Sequence, residues 1–90
     1  MKKSNYKILL SKIAIKDRDK LYNSGLGSKC DDILDKMSDN PFYYPPPFEK
    51  LVGDLKGYYS RRINRQHRII YSVLENKKEI HIIRMWTHYE

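Results

Sequence analysis

The chain has 90 residues, and its 18 Lys+Arg against 11 Asp+Glu give it a net charge of +7. That length supports one hydrophobic core, so residues 1–90 read as a single domain. The charge points to a polyanion or an acidic protein as partner, and apolar runs as short as "IIY" and "IHII" exclude a helix of roughly 20 apolar residues crossing a membrane.

The N-terminal stretch "MKKSNYKILLSKIAIK" is basic, but Ser11 and Lys12 break its apolar segment and no A-x-A-like site follows, so it does not read as a secretory signal. Cys30 is the single cysteine and cannot form a disulfide within the chain. These features predict a cytoplasmic protein in which Cys30 is a small buried apolar residue.

"YKILL", Tyr6 to Leu10, predicts a short strand. Ser11 is placed to cap a helix running to Asn23, with Ala14, Arg18, Leu21 and Tyr22 on one face. "NSGLG" ends that helix with two glycines. Ser28 is expected to cap a second helix, with Asp31 and Asp32 in its first turn and Cys30, Ile33, Leu34 and Met37 as an apolar stripe ending at Asn40-Pro41. Three prolines, Pro45 to Pro47, then force an extended connector that delivers Glu49. From Tyr58 the pattern becomes β. "YYSRRIN" and "HRIIYSVL" flank a tight turn at Arg65-Gln66, and "ENKK" leads into "EIHIIRMW". The order is β-α-α-β-β-β, an α+β fold with two helices packed on one face of an antiparallel sheet.

The hairpin carries Arg61, Arg62, Arg65, His67 and Arg68. Alternation sends Ile69, Tyr71 and Val73 toward the helices, which leaves Arg68 on the open face. A two-residue turn would put Arg61 beside it; a three-residue turn would put Arg62 there. With Tyr58, Tyr59 and Tyr89 nearby, such a face suits single-stranded RNA, phosphates on arginine and bases on rings. RNA cleavage by its own 2′-hydroxyl needs a base, a cation for the phosphate and an acid for the leaving oxygen. Glu49, Arg68 and His88 can supply these without a metal or other cofactor. His67, His81 and His88 lack metal-ligand spacing.

The stretches "FEKL", "GYYSRRINRQHRIIY" and "WTHYE" together resemble the YoeB/Txe group of the RelE toxin superfamily, closely from about Asn40 to Glu90 and by length and order in the helical half. The resemblance implies the RelE/microbial-ribonuclease-like fold. It also implies a ribosome-dependent mRNA endonuclease that cuts the codon exposed in the ribosomal A site, silenced by an acidic antitoxin of the YefM/Axe type. The family's glutamate matches Glu49, its sheet arginine Arg68, and its terminal pair His88 and Tyr89; these four are the expected catalytic residues. Arg61, Arg62, Arg65, Lys50, Tyr58 and Tyr59 are the expected RNA contacts. The chain departs from the family in having Val52 where a lysine often follows the glutamate by three residues, with Lys50 directly after Glu49, and in adding Glu90 after the tyrosine. A homodimer is left open. The alternatives are a non-catalytic RNA- or ribosome-binding module that blocks translation by occupancy, and a plain interaction domain for an acidic protein.

Overall fold

The structure is a computed structural model that describes residues 5–44 and 47–86. Strand β1 (Lys7–Leu10) leads into helices α1 (Lys12–Asn23) and α2 (Gly27–Asp39). A short strand β2 (Phe48–Lys50), a 3-10 turn (Gly53–Leu55) and strands β3 (Tyr59–Arg62), β4 (Arg68–Leu74) and β5 (Glu79–Arg84) follow. The five strands form one sheet in the order β1-β5-β4-β3-β2. Both helices lie on one face of it, α1 against β1 and β5 and α2 against β1.

Local chemistry explains the helix ends. The Ser11 hydroxyl accepts the Ala14 N–H at 3.0 Å and so caps α1. The same hydroxyl donates to the Ile83 carbonyl at 2.9 Å, which ties the start of α1 to β5. Gly25, at φ 80°, turns the chain between the helices. The second helix starts at Gly27, with Leu26 rather than Ser28 at the cap position and no side-chain cap. Asp31 and Asp32 consequently lie beyond its first turn. The reason is tertiary: the Leu26 N–H reaches back to the Leu21 carbonyl at 2.8 Å, so α2 is built onto the end of α1. A side chain on Gly27 would meet the Tyr22 ring at 2.8 Å, which makes glycine the residue that permits this close helix junction.

The core joins Ala14 and Leu21 of α1 and Cys30, Ile33 and Met37 of α2 to Ile69, Tyr71, Ile80, Ile82 and Met85 of the sheet region. Strands β3, β4 and β5 form the expected antiparallel meander, but the sheet as a whole is mixed rather than antiparallel and has two features that were not expected. β1 pairs in parallel with β5, with Ile8 opposite Ile80 and Leu10 opposite Ile82. The helical pair and the meander separate these strands in the chain, so no hairpin forces them to reverse, and this register gathers their apolar side chains on the helix side. The second feature is β2, an edge strand antiparallel to β3. Phe48 holds it by packing against Phe42 and Tyr59, at ring-centroid distances of 5.4 and 6.0 Å.

Candidate active site

The turn between β3 and β4 decides which arginine meets Arg68. The Ile63 N–H donates to the His67 carbonyl at 2.8 Å, which leaves three residues, 64–66, in the turn. The Asn64 side-chain carbonyl shapes it by accepting the Gln66 and His67 N–H groups at 2.9 and 2.8 Å. The tight turn expected at Arg65-Gln66 is thus one residue longer. Arg62 is paired with Arg68 in the β3–β4 ladder, so these two share a face.

Glu49 arrives on that face from β2, where it is paired with Ser60. Its Oε1 lies 2.6 Å from Nη1 of Arg68, and the same Nη1 donates to the Ser60 hydroxyl at 3.3 Å. Ser60 is buried beneath this pair, Arg68 is half-buried and Glu49 is exposed. Pro47, Glu49, Ser60, Arg62 and Arg68 line a cavity of about 480 Å³. The sheet therefore brings a carboxylate, a guanidinium and a second arginine to one concave spot. That arrangement can accept a proton from, and place positive charge on, a phosphodiester entering from solvent.

The other expected RNA contacts separate. Arg65 is exposed at the turn. Arg61, Tyr59 and Lys50 alternate to the opposite face from Ser60 and Glu49. Lys50 is exposed there, and Tyr58 is half-buried at the far end of β3. Tyr59 packs against the core, its ring stacked on Tyr71 at 5.7 Å and edge-on to Phe42 at 5.0 Å, so it offers no free stacking platform. Arg61 is fully buried, which corrects its expected position on the open surface. Its guanidinium donates to the Pro41 and Tyr43 carbonyls at 3.2 and 3.0 Å and lies 3.9 Å from the Tyr43 ring centroid. The Tyr71 hydroxyl donates to the same Pro41 carbonyl at 2.9 Å. Burial pushes the Tyr71 phenol above its ordinary value, and the Tyr43 phenol likewise, against the opposing effect of the Arg61 charge. Arg61 and Tyr71 thus brace the loop that precedes β2 and, through it, the approach to Glu49. His88 and Tyr89, with Glu90, lie outside the described residues.

Sequence reasoning missed Asp17. It is 1% exposed although it lies on a helix. Its carboxylate accepts the Arg84 Nε–H at 2.9 Å and the Met85 N–H at 3.0 Å. Burial alone would raise its pKa; hydrogen bonds from Arg84, Met85 and Trp86 and the Arg84 charge outweigh this and hold it below the usual carboxylate range. The signal in the sequence was an acid at the position between Ala14 and Leu21 on the buried face of α1. Among the described residues, no group of His, Cys, Asp and Glu could hold a metal ion, and no helix is long and apolar enough to cross a membrane.

The family profile for the YoeB-like toxin of bacterial type II toxin-antitoxin systems matches residues 17–89. Toxin YoeB of Synechocystis sp. is 40% identical over 58 residues, 64% of this chain. The match spans 65% of that relative's length. Among solved structures, the YoeB/ParE toxin from Agrobacterium tumefaciens superposes with a TM-score of 0.82 at 27% identity, covering 92% of this chain and 99% of its own. The YoeB-YefM complex from Staphylococcus aureus contains a chain that superposes with a TM-score of 0.77 at 33% identity, covering 93% of this chain and 98% of its own.

Proposed function

This chain belongs to the YoeB-like toxins of bacterial type II toxin-antitoxin systems, and from that premise we propose that it is a cytoplasmic endoribonuclease that cuts mRNA in the ribosomal A site. The observation that carries the reading is the Glu49–Arg68 pair, 2.6 Å apart on the open face beside Arg62. Glu49 takes the proton of the 2′-hydroxyl, whose oxygen attacks the adjacent phosphorus. Arg68, steadied by the Ser60 hydroxyl, holds the phosphoryl oxygens as negative charge builds on them. His88 gives a proton to the departing 5′ oxygen, and Tyr89 orients the phosphate. The products are a 2′,3′-cyclic phosphate and a 5′-hydroxyl, and the reaction uses no metal.

The resting ion pair fits this sequence of events. The carboxylate end of the pair is exposed to water, which screens it, so an incoming phosphate can displace the carboxylate from Arg68 and leave it free to act as a base. Arg62 and Arg65 add general attraction to the RNA backbone. A small acidic antitoxin silences the protein by covering the basic face, a reading supported by the similarity to a chain of the YoeB-YefM complex from Staphylococcus aureus.

Primer extension on mRNA in translating ribosomes tests the reading. Wild-type protein should cut within the A-site codon, and Glu49→Ala and His88→Ala should bind ribosomes without cutting. If both variants block translation as well as wild type, the protein acts by occupancy and the catalytic assignment is wrong.

A further inference from the structure

The open face of the sheet continues past Glu49 toward the turn that joins β2 to β3. The Leu51 N–H donates to the Tyr58 carbonyl at 3.0 Å, which extends the β2–β3 ladder by one pair beyond Lys50 and Tyr59. Glu49 is paired with Ser60, so alternation puts Leu51 and Tyr58 on the face that Glu49 and Ser60 share. Along β3 that face carries Tyr58, Ser60 and Arg62 in order, about 7 Å apart. Arg68 stands opposite Arg62. Tyr58 also lines a groove of about 700 Å³ with Lys50, Leu51, Val52 and Lys56. Two lysines and no carboxylate line this groove, and Val52, 84% exposed, leaves an apolar side chain open to solvent there. Tyr59 and Tyr71 are tied to each other by their stacked rings, Tyr6 to Glu75 and Tyr43 to Arg61. Tyr58 differs: it is half-buried outside the core, and among the described residues its side chain has no hydrogen-bond or ring partner. An uncommitted aromatic ring flanked by lysines is what a single-stranded nucleic acid needs, a π-face for a base and cations for its phosphates.

We propose that Tyr58 is the stacking platform for the base of the nucleotide whose 2′-hydroxyl attacks, the one on the 5′ side of the cut. The inference deepens the preceding reading and rests on it: Glu49 and Arg68 act on RNA. The scissile phosphate at Arg68 and the 2′-oxygen at Glu49 fix two points of that nucleotide. Its base hangs from C1′, on the far side of C2′ from the 3′-oxygen that carries the phosphate. The line that runs from Arg68 past Glu49 therefore continues to the base. The next side chains on the face along that line are Leu51 and Tyr58, paired across the ladder. Tyr58 offers its ring, Leu51 an apolar edge, and Lys50 and Lys56 the charge for the phosphate that precedes this nucleotide. Holding the base orients the ribose, so that the 2′-oxygen meets Glu49 in line with the departing 5′ oxygen. Every base has a π-face, so the platform accepts all four. Tyr58 touches the substrate and moves no proton.

The test uses ribosomes with a vacant A site and two matched mRNAs. They differ only in whether the nucleotide before the cut carries its base or is abasic. Cleavage is followed at protein concentrations below saturation, which reads kcat/KM. Wild-type protein should cut the base-bearing mRNA about tenfold faster than the abasic one. Tyr58→Leu keeps an apolar side chain and removes the ring. It should lose that tenfold on the base-bearing mRNA and nothing further on the abasic one, whereas Tyr58→Phe should stay within about twofold of wild type on both. If Tyr58→Leu does not fold, Tyr58→Met removes the ring and keeps more of its volume. Equal cutting of the two mRNAs by wild type, or equal losses on both in the folded variant, would overturn the proposal, because a merely structural tyrosine affects both substrates alike. Glu49→Ala separates the platform from the chemistry. In that background, affinity for the base-bearing ribosome complex should still fall about tenfold on adding Tyr58→Leu. If Glu49→Ala cuts like wild type, the general-base assignment fails, while a base-dependent loss in Tyr58→Leu still upholds the platform. If the base-dependent loss is absent in both backgrounds, the platform fails and the Glu49–Arg68 reading stands.

Discussion

Arg61 and Arg62 are adjacent in sequence and opposite in consequence, and Arg61→Ala separates the two roles. Arg61 is fully buried, with two hydrogen bonds to the Pro41 and Tyr43 carbonyls and its guanidinium over the Tyr43 ring. A hydrogen bond from a charged donor contributes about 1.5–3 kcal/mol, and a desolvated cation–π contact about 2 kcal/mol. These gains are offset by the cost of burying the guanidinium, and the Pro41 carbonyl keeps a partner in Tyr71 after truncation. The net loss is therefore expected near the low end, about 3 kcal/mol. For a domain of this size that lowers Tm by about 12–24 °C. Arg62→Ala, on an exposed residue, should change stability by less than about 0.5 kcal/mol. It should instead weaken ribosome binding and flatten its salt dependence. Urea denaturation followed by circular dichroism measures the first quantity, and ribosome co-sedimentation across a salt series the second. If Arg61→Ala is as stable as wild type and loses ribosome binding as Arg62→Ala does, the buried-brace account is refuted.

Arg68→Ala should lose about 3 kcal/mol of transition-state stabilisation, roughly a hundredfold in single-turnover cleavage. Arg65→Ala, altered at the exposed turn, should lose only what a lower salt-dependent affinity takes away, and equal losses would remove the case for a placed phosphate cation. The Asp17 carboxyl is held below its ordinary value in the folded chain, so it adds stability above about pH 4 that disappears as pH falls through its folded pKa. Chemical denaturation at a series of pH values should accordingly show a flatter acid limb in Asp17→Asn than in wild type. Burial pushes the Cys30 thiol up to about 11. At pH 8 an aromatic disulfide reagent should therefore label it slowly in the native protein and rapidly in urea; fast native labelling would mean that α2 opens readily from the core.

Short-range signals in the sequence were sufficient for several features. Ser11 capped its helix because a hydroxyl three residues before an N–H needs no other part of the molecule. The stripe of Cys30, Ile33 and Met37 faced the core because helical periodicity is local. Alternation along β4 put Ile69 and Tyr71 inside and sent Arg68 outward for the same reason. The motifs around Glu49, Arg68 and His88 pointed to the toxin family, and the profile match over residues 17–89 bears that out. Tertiary structure alone decided the rest. Whether Arg61 or Arg62 joins Arg68 depends on one residue of turn length, fixed by the Ile63–His67 bond and the Asn64 side chain. The strand that carries Glu49 exists only because β3 offers it an edge and Phe42 and Tyr59 receive Phe48. Asp17 reads as a surface acid until β5 brings Arg84 and the Met85 N–H against it, 67 and 68 residues further along the chain. A cap or a helical stripe is specified by neighbours within a few residues, whereas a strand register or a buried charge is stable only once distant segments have supplied its partners.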